Sequence, residues 1–300
     1  MFKKCYLCVT MKAKRILIAD SGSTKTAWLL MEEGLTDVTF RTRGINPVMQ
    51  SEAEITATLM SELLPQLAAA TMDKSKATDI GEIHFYGAGC TPARRHVVEG
   101  ALRSCFSEAR LSIESDLLGA ARALCGANEG IACILGTGSN SCYYNGEQIV
   151  QNTPSLGYIL GDEGGGAMLG RRFLGDLLKG LLPESVKMNF FEEYKLQMDA
   201  IIDRVYRQPM PNRFLASLAP FLVANRNVTE IHDLLVDSFR SFFARNIRNY
   251  GRPELPVHFV GSIAYHFGVE LVEAAREEGF WVGRIESAPL QGIADYHRES

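Results

Sequence analysis

The sequence predicts an α/β protein made of two copies of one unit, βββαβαβα, each a mixed sheet with helices on its faces. Two observations carry this. In the first half, three short apolar runs joined by tight turns are followed by alternating helical and strand patterns, an antiparallel meander continued by crossover units. At residue 131 the pattern restarts, with a strand and a Gly/Ser/Thr-rich turn in the same place as before, and such internal duplication governs the reading of every element.

Residues 15–19 form an apolar run that ends in Asp20, and Ser21-Gly22-Ser23-Thr24 is a turn. A second run covers 26–31, Glu32-Glu33-Gly34 turns the chain, and 38–43 is the third strand. Ser51 with Glu54 three residues on is a capping box. It opens a helix carrying Ile55, Leu59 and Leu63, which Pro65 is expected to end or kink. Residues 83–86 form a strand running into Gly87-Ala88-Gly89. Thr91 and Pro92 serve as N-cap and N1 of a helix whose stripe is Val97, Val98, Ala101 and Leu102. Residues 111–114 are the next strand, and Asp116 caps a helix over 117–125.

In the second half, 131–135 is a buried-type strand ending in Gly136-Thr137-Gly138-Ser139. Residues 141–150 form a hairpin around Asn145-Gly146. A helix follows over 162–179, and a helical stretch continues to about 250. Ile231, Leu234, Leu235, Phe239, Phe242, Phe243, Ile247 and Tyr250 keep an i, i+3, i+4 stripe there, which is core and not a cofactor box. Residues 257–260 are a strand, Gly261-Ser262 a junction, and a helix runs to 278; 290–297 is helical.

Composition narrows the class. A chain of 300 residues, 46% hydrophobic and 22% charged, is an ordinary globular protein of about two domains, not disordered, collagenous or disulfide-dominated. Its 31 basic and 35 acidic residues give a net charge of −4 and no long-range field for nucleic acid or an anionic membrane. No run approaches the ~18 apolar residues of a membrane span. Seven cysteines, an odd number, point to a reducing cytoplasm, and Cys5-x-x-Cys8 lacks the second pair a metal site needs. Residues 1–11 mimic the start of a signal peptide but their apolar run is too short. They read as a dispensable leader, with Met11 a second start.

The chemistry lies in three small-residue junctions. The first, Asp20-Ser21-Gly22-Ser23-Thr24-Lys25-Thr26, sets a carboxylate at a strand end beside exposed N–H groups, hydroxyls and a lysine, which suits phosphate oxygens. It has neither Walker nor Gly-x-Gly-x-x-Gly spacing, and alone it reads equally as a tight turn. The second, Leu135-Gly136-Thr137-Gly138-Ser139-Asn140, holds the equivalent place in the second half. Two such loops in a duplicated architecture can hold one polyphosphate from both sides, which favours phosphate binding over plain turns. The third, Gly261-Ser262, would offer a helix N-terminus to an anion or to adenosine.

These motifs occur jointly and in order with Gly44-Ile45-Asn46-Pro47, Asp116, Gly157-Tyr158-Ile159-Leu160-Gly161-Asp162-Glu163-Gly164 and Val260-Gly261-Ser262. By them the chain resembles, over about 12–300, the N-acetylglucosamine kinase family within the BadF/BadG/BcrA/BcrD-type ATPases of the actin, Hsp70 and sugar kinase superfamily. The resemblance implies two ribonuclease-H-like domains with an ATP/sugar cleft between them. The first would be 12–115, with 288–300 packing back on it; the second 116–287, with a helical insertion at about 180–250. The implied ligands are ATP with Mg²⁺ and a small amino sugar.

Residue by residue, Ser23, Thr24 and Lys25 of the first loop and Gly136, Thr137 and Gly138 of the second are candidate phosphate contacts, Thr24 and Thr137 matching the family's positions. Gly261 and Ser262 match the nucleotide side, and Asp20 the carboxylate that organises Mg²⁺. Asn46, Ser139, Asn140, Gly157 and Asp162 match sugar contacts. Asp116 matches the aspartate at the attacking hydroxyl; on local chemistry it reads as a helix cap, and with the resemblance as the base. The chain departs from the vertebrate pattern at Ser155-Leu156-Gly157, where a tryptophan between two glycines is replaced, so the wall of the sugar site differs. Other readings are an ATPase activator of an iron–sulfur dehydratase system, which would need cysteines where the second loop has none, and a non-catalytic sugar sensor or plain ATPase of the same fold. A cytoplasmic protein is expected, and a homodimer is left open.

Overall fold

The computed structural model describes residues 15–22, 24–71 and 77–299. Ser23, the Cys5/Cys8 pair and the leader lie outside them. The chain forms two compact units divided between Asp116 and Leu117.

In the first unit, β1 (Arg15–Ser21), β2 (Lys25–Glu32) and β3 (Val38–Arg43) make the antiparallel meander, and β4 (Glu82–Gly87) and β5 (Arg110–Ser115) add in parallel beside β1. The strand order is β3-β2-β1-β4-β5. Period-two alternation puts Leu17, Ala19, Trp28, Leu30 and Phe40 into one core with Ile83 and Phe85. Trp28 donates its indole N–H to Thr42 Oγ1 at 3.0 Å.

The capping box forms as read: Glu54 accepts the Ser51 N–H at 2.8 Å, and Ser51 caps Glu54. The helix does not end at Pro65. Glu52–Thr58 passes through a π-turn, Leu59–Leu63, where Leu64 N–H reaches back to Leu59 C=O, and continues as Leu64–Ala70 with Pro65 in its first turn, where its missing N–H is harmless. The next helix, Arg95–Cys105, starts later than Pro92, because Thr91 C=O first takes the N–H groups of both Arg94 and Arg95 in a turn.

The second unit repeats the topology. β6 (Glu129–Leu135), β7 (Ser139–Asn145) and β8 (Ile149–Thr153) form the meander, and β9 (Val257–Val260) and β10 (Val282–Glu286) join in parallel beside β6, in the order β10-β9-β6-β7-β8. Between β8 and β9 lies a long helical stretch whose striped residues, Ile231 to Tyr250, are all buried. The helix expected over 162–179 is shorter, Gly166–Leu178, preceded by a single turn, Gly157–Leu160.

Asp116–Cys125 follows β5 without a break, and its Leu117, Ala120, Ala121 and Leu124 pack against Ala132, Cys142 and Tyr144. The terminal helix, Leu290–Glu299, belongs to the second compact unit. Gly292 lets its backbone approach closely; a β-carbon there would stand 2.6 Å from Ala123 C=O. Arg122 caps the same contact by lying 5.0 Å above the Tyr296 ring. Among the described residues, no helix is long and apolar enough to cross a membrane.

Candidate functional site

In the first unit, the strand register brings the candidate residues together. Asp20 pairs across with Tyr86, and Tyr86 with Glu114; one residue on, Ser21, Gly87 and Ser115 align, and Asp116 comes next. Asp20 and Asp116 therefore stand at the carboxyl ends of parallel strands in one sheet. Burial and the charge of Asp116 push the Asp20 carboxyl up to about 7, and Lys25 pulls against them. Thr24 and Lys25 are exposed on the turn beyond it, closed by Gly22 N–H to Lys25 C=O at 3.0 Å.

Ser21 and Thr26, members of the first junction to which the sequence assigns no separate role, build this corner. Ser21 is fully buried; its hydroxyl accepts the Ile45 N–H at 3.0 Å, donates to Ile45 C=O at 2.9 Å and lies 2.6 Å from the Thr26 hydroxyl. That ties 44–46 to the end of β1. Asn46 then turns its own chain: Oδ1 accepts the Val48 N–H at 2.9 Å, and its N–H goes to Gln50 Oε1 at 2.8 Å. It rests on Gly89, whose φ is +79° and whose β-carbon would stand 2.3 Å from Asn46 Oδ1.

In the second unit, the loop is three residues long, Gly136, Thr137 and Gly138. Ser139 and Asn140 already belong to β7, opposite Leu135 and Ile134, where the sequence placed them in the loop. The loop is stitched to the helix that follows: Gly166 N–H donates to Gly136 C=O at 2.8 Å and Ala167 N–H to Thr137 C=O at 2.9 Å. Gly165 is required, since its β-carbon would meet the Gly138 carbonyl carbon at 2.7 Å.

Asp162 closes the corner. It adopts a left-handed φ of 54°, and its carboxylate accepts N–H groups from Ser139 and Gly157. Burial pushes its carboxyl up, against those two bonds. Asn140 Oδ1 accepts from Ser141 N–H at 3.0 Å and from Asn152 Nδ2 at 2.9 Å.

Gly261, with φ of 121°, seats the β9 junction on the end of β6, and the exposed Ser262 begins the next helix, Ser262–His266. Gly136, Thr137 and Ser262 line a cavity of about 640 Å³ whose other walls include Pro220, Val223 and Phe267. The helical insertion supplies two of these walls, and no motif marks them; they are ordinary apolar helix residues. Cys125, Cys133 and Cys142 are core residues, and burial pushes the thiols of Cys125 and Cys142 up to about 12. Among the described residues, no three metal-ligating side chains gather.

No family model matches the chain, and no curated protein matches it. Solved structures do. One described as a candidate N-acetylglucosamine kinase, from Porphyromonas gingivalis, is 47% identical, covers 95% of this chain and 99% of its own, and superposes with a TM-score of 0.90. A second, described likewise, from Chromobacterium violaceum, is 21% identical over 95% and 99% of the two chains, with a TM-score of 0.69. A glucokinase from Balamuthia mandrillaris in complex with glucose is 12% identical over 97% and 95%, with a TM-score of 0.50. The last two share the fold alone. With both five-stranded sheets in the order that the duplication predicts, and nearly half the residues identical along the whole of the first of these relatives, the chain belongs to the N-acetylglucosamine kinase family.

Proposed function

We propose that the protein is a cytoplasmic ATP-dependent kinase that transfers a phosphoryl group to a hydroxyl of N-acetylglucosamine or a related amino sugar. The observation that carries the reading is the pair Asp20 and Asp116 at the strand ends of one sheet, with Asp20 poised near 7. Two carboxylates so placed can divide the labour of phosphoryl transfer, one toward a cation and one toward a proton.

The residues fit the ligands. A cavity of about 640 Å³ with apolar walls and a glycine loop at its edge suits a nucleoside with its phosphates on Gly136, Thr137 and Gly138. Asp20 is costly to ionise where it stands, and a divalent cation would relieve that cost. Mg²⁺ commonly takes one or two carboxylates and fills its remaining positions with water and phosphate oxygens, so Asp20 without a cluster of further ligands is sufficient. When bound, Mg²⁺ neutralises phosphate charge and aligns the terminal phosphoryl group.

The chain's own residues do the rest. Asp116 hydrogen-bonds the acceptor hydroxyl, orients it and takes its proton as the new P–O bond forms. Thr24 and Lys25, with Ser23, bind phosphate oxygens from the first loop, Thr137 from the second, and Ser262 contacts the nucleoside. Asn46, Ser139, Asn140, Gly157 and Asp162 hold the sugar.

The test is a phosphorylation screen with ATP and Mg²⁺ over N-acetylglucosamine, N-acetylmuramic acid and glucosamine, with products identified by mass spectrometry. A phosphorylated amino sugar, formed only with divalent metal, is the expected result. ATP hydrolysis with no phosphosugar from any of the three would reject the kinase in favour of an ATPase.

A further inference from the structure

A distant helix reaches the corner built around Asp162. Thr229–Phe242 does not end as an α-helix but runs into a single π-turn, Phe243–Ile247. Such turns insert a residue and re-aim the side chains that follow. Here the re-aimed residues are Arg245 and Asn246, and both meet Glu163. Arg245 Nε lies 2.8 Å from one carboxylate oxygen of Glu163. Asn246 Nδ2 donates to the other at 3.3 Å and to Phe242 C=O at 3.3 Å. Glu163 is only 9% exposed, so a carboxylate there depends on these partners in place of water.

The same turn and Tyr250 just beyond it grip the strands of the corner. Asn246 C=O accepts the Thr153 hydroxyl at 3.1 Å. The Tyr250 hydroxyl accepts the Thr153 N–H at 3.1 Å and lies 2.7 Å from Ser141 Oγ. A β-carbon on Gly164 would stand 3.2 Å from Phe242 Cβ, so the chain just beyond Glu163 sits directly on the helix. Leu156, Gly157, Asp162 and Gly164 are all left-handed, two of them not glycine. Backbone of that kind persists only where its surroundings hold it.

We propose that Glu163, held by Arg245 and Asn246, is a positioning residue for the acceptor sugar: it fixes the backbone at 162–164 and so places the Asp162 carboxylate and the two N–H groups, of Ser139 and Gly157, that it binds. The inference rests on the reading of those three residues as sugar-side contacts. The cluster shares no residue with the walls of the 640 Å³ cavity and bonds to the backbone and strands on the sugar side of the corner, so its main effect falls on the sugar.

Steady-state kinetics with varied sugar and varied ATP test this. Glu163→Gln keeps the shape and the bond to Asn246 but loses the charge facing Arg245. It raises the KM for the sugar about tenfold while the KM for ATP stays within about twofold, since small misplacements of contact groups carry penalties of this order or more. Arg245→Ala, at an exposed position that does not endanger folding, shows the same split at about threefold, and Arg245→Lys recovers most of it. Equal rises in both KM values, or a lower melting temperature with both unchanged, would overturn the proposal and leave Glu163 a fold residue. A wild-type protein that phosphorylates no amino sugar fails the proposed function itself and takes this inference with it; an active wild type with unsplit variants fails the inference alone.

Discussion

The charge on Asp116 helps keep the carboxyl of Asp20 out of its ordinary range. Asp20 lies near the end of β1 and Asp116 follows the end of β5; β4 stands between these strands, and the parallel register brings both residues to the same end of the sheet. Neighbouring strands lie about 4.8 Å apart, so the carboxylates are far enough apart to serve different atoms yet near enough to repel. That arrangement costs stability in the ligand-free protein and offers a cation something to relieve.

The sign of that cost is testable. Asp20 titrates near 7 in the folded protein against an ordinary 3.8, so between those values the folded state binds more protons than the unfolded one. Stability then falls as pH rises through the window, and the full penalty is present above it. Asp20→Asn removes the titration. Its melting temperature relative to wild type, without metal or nucleotide, therefore climbs from about pH 4 and levels off above about pH 7. A constant offset across that range would mean that Asp20 ionises normally.

Much of this corner was legible beforehand because short-range chemistry determines it. Asp20 lies at the end of one strand, Thr24 and Lys25 at the start of the next, and Gly136 to Gly138 stand in the equivalent place of the repeat, so period-two patterning and turn residues were enough. Ser21 and Thr26 were not legible as builders of the site, since their importance comes from Ile45 and Arg43, about twenty residues away. β10 is hard to read for another reason: Gly283 and Arg284 at its centre are both exposed and break the alternation, and only Val282 and Ile285, each partly buried, pack against the core beside the backbone pairing to β9. Pro65 marks an interruption of the α-helical ladder and not its end, because a π-turn one step earlier shifts the hydrogen bonds past it.

Two glycines of the second unit should respond oppositely to alanine. At Gly138 a β-carbon would stand 2.5 Å from Asp162 Oδ2, and that carboxylate is held by Ser139 and Gly157 and cannot swing aside. Gly138→Ala therefore displaces the loop and raises the KM for ATP by about tenfold or more. Gly175 lies inside the helix Gly166–Leu178 with nothing within 4 Å of the added carbon. Gly175→Ala should stabilise the protein by about 0.5–1 kcal/mol with unchanged kinetics, measured by urea unfolding. A Gly138→Ala protein with wild-type ATP kinetics would show that the loop does not bind phosphate.

The nucleotide cavity has a brace that can be broken separately. Arg226 binds both carboxylate oxygens of Glu270, at 2.8 and 2.6 Å, and donates to the carbonyl of His266 on the cavity wall at 3.0 Å. Glu270 is 1% exposed, so Arg226→Met strands a buried carboxylate and should cost about 3 kcal/mol or more in urea unfolding. A loss under about 1 kcal/mol would place the pair among surface ion pairs, which contribute little.

Asp116 can be tested through two independent readouts. An alcohol is a poor nucleophile while it keeps its proton, and a carboxylate within reach both orients the hydroxyl and accepts that proton. General-base assistance is typically worth about 10²–10⁴-fold, so Asp116→Asn should lower kcat by about that factor. Asn is tolerated at the start of Asp116–Cys125, so folding survives the change. The second readout needs no substrate. Because the Asp116 charge is one of the causes that raise Asp20, its removal lets Asp20 ionise at lower pH, and the pH-dependent fall in stability moves to lower pH with it. If Asp116 only starts a helix, the pH curve still moves while kcat stays near wild type. That combination would take the residue out of the chemistry and make Asp162 the next carboxylate to replace.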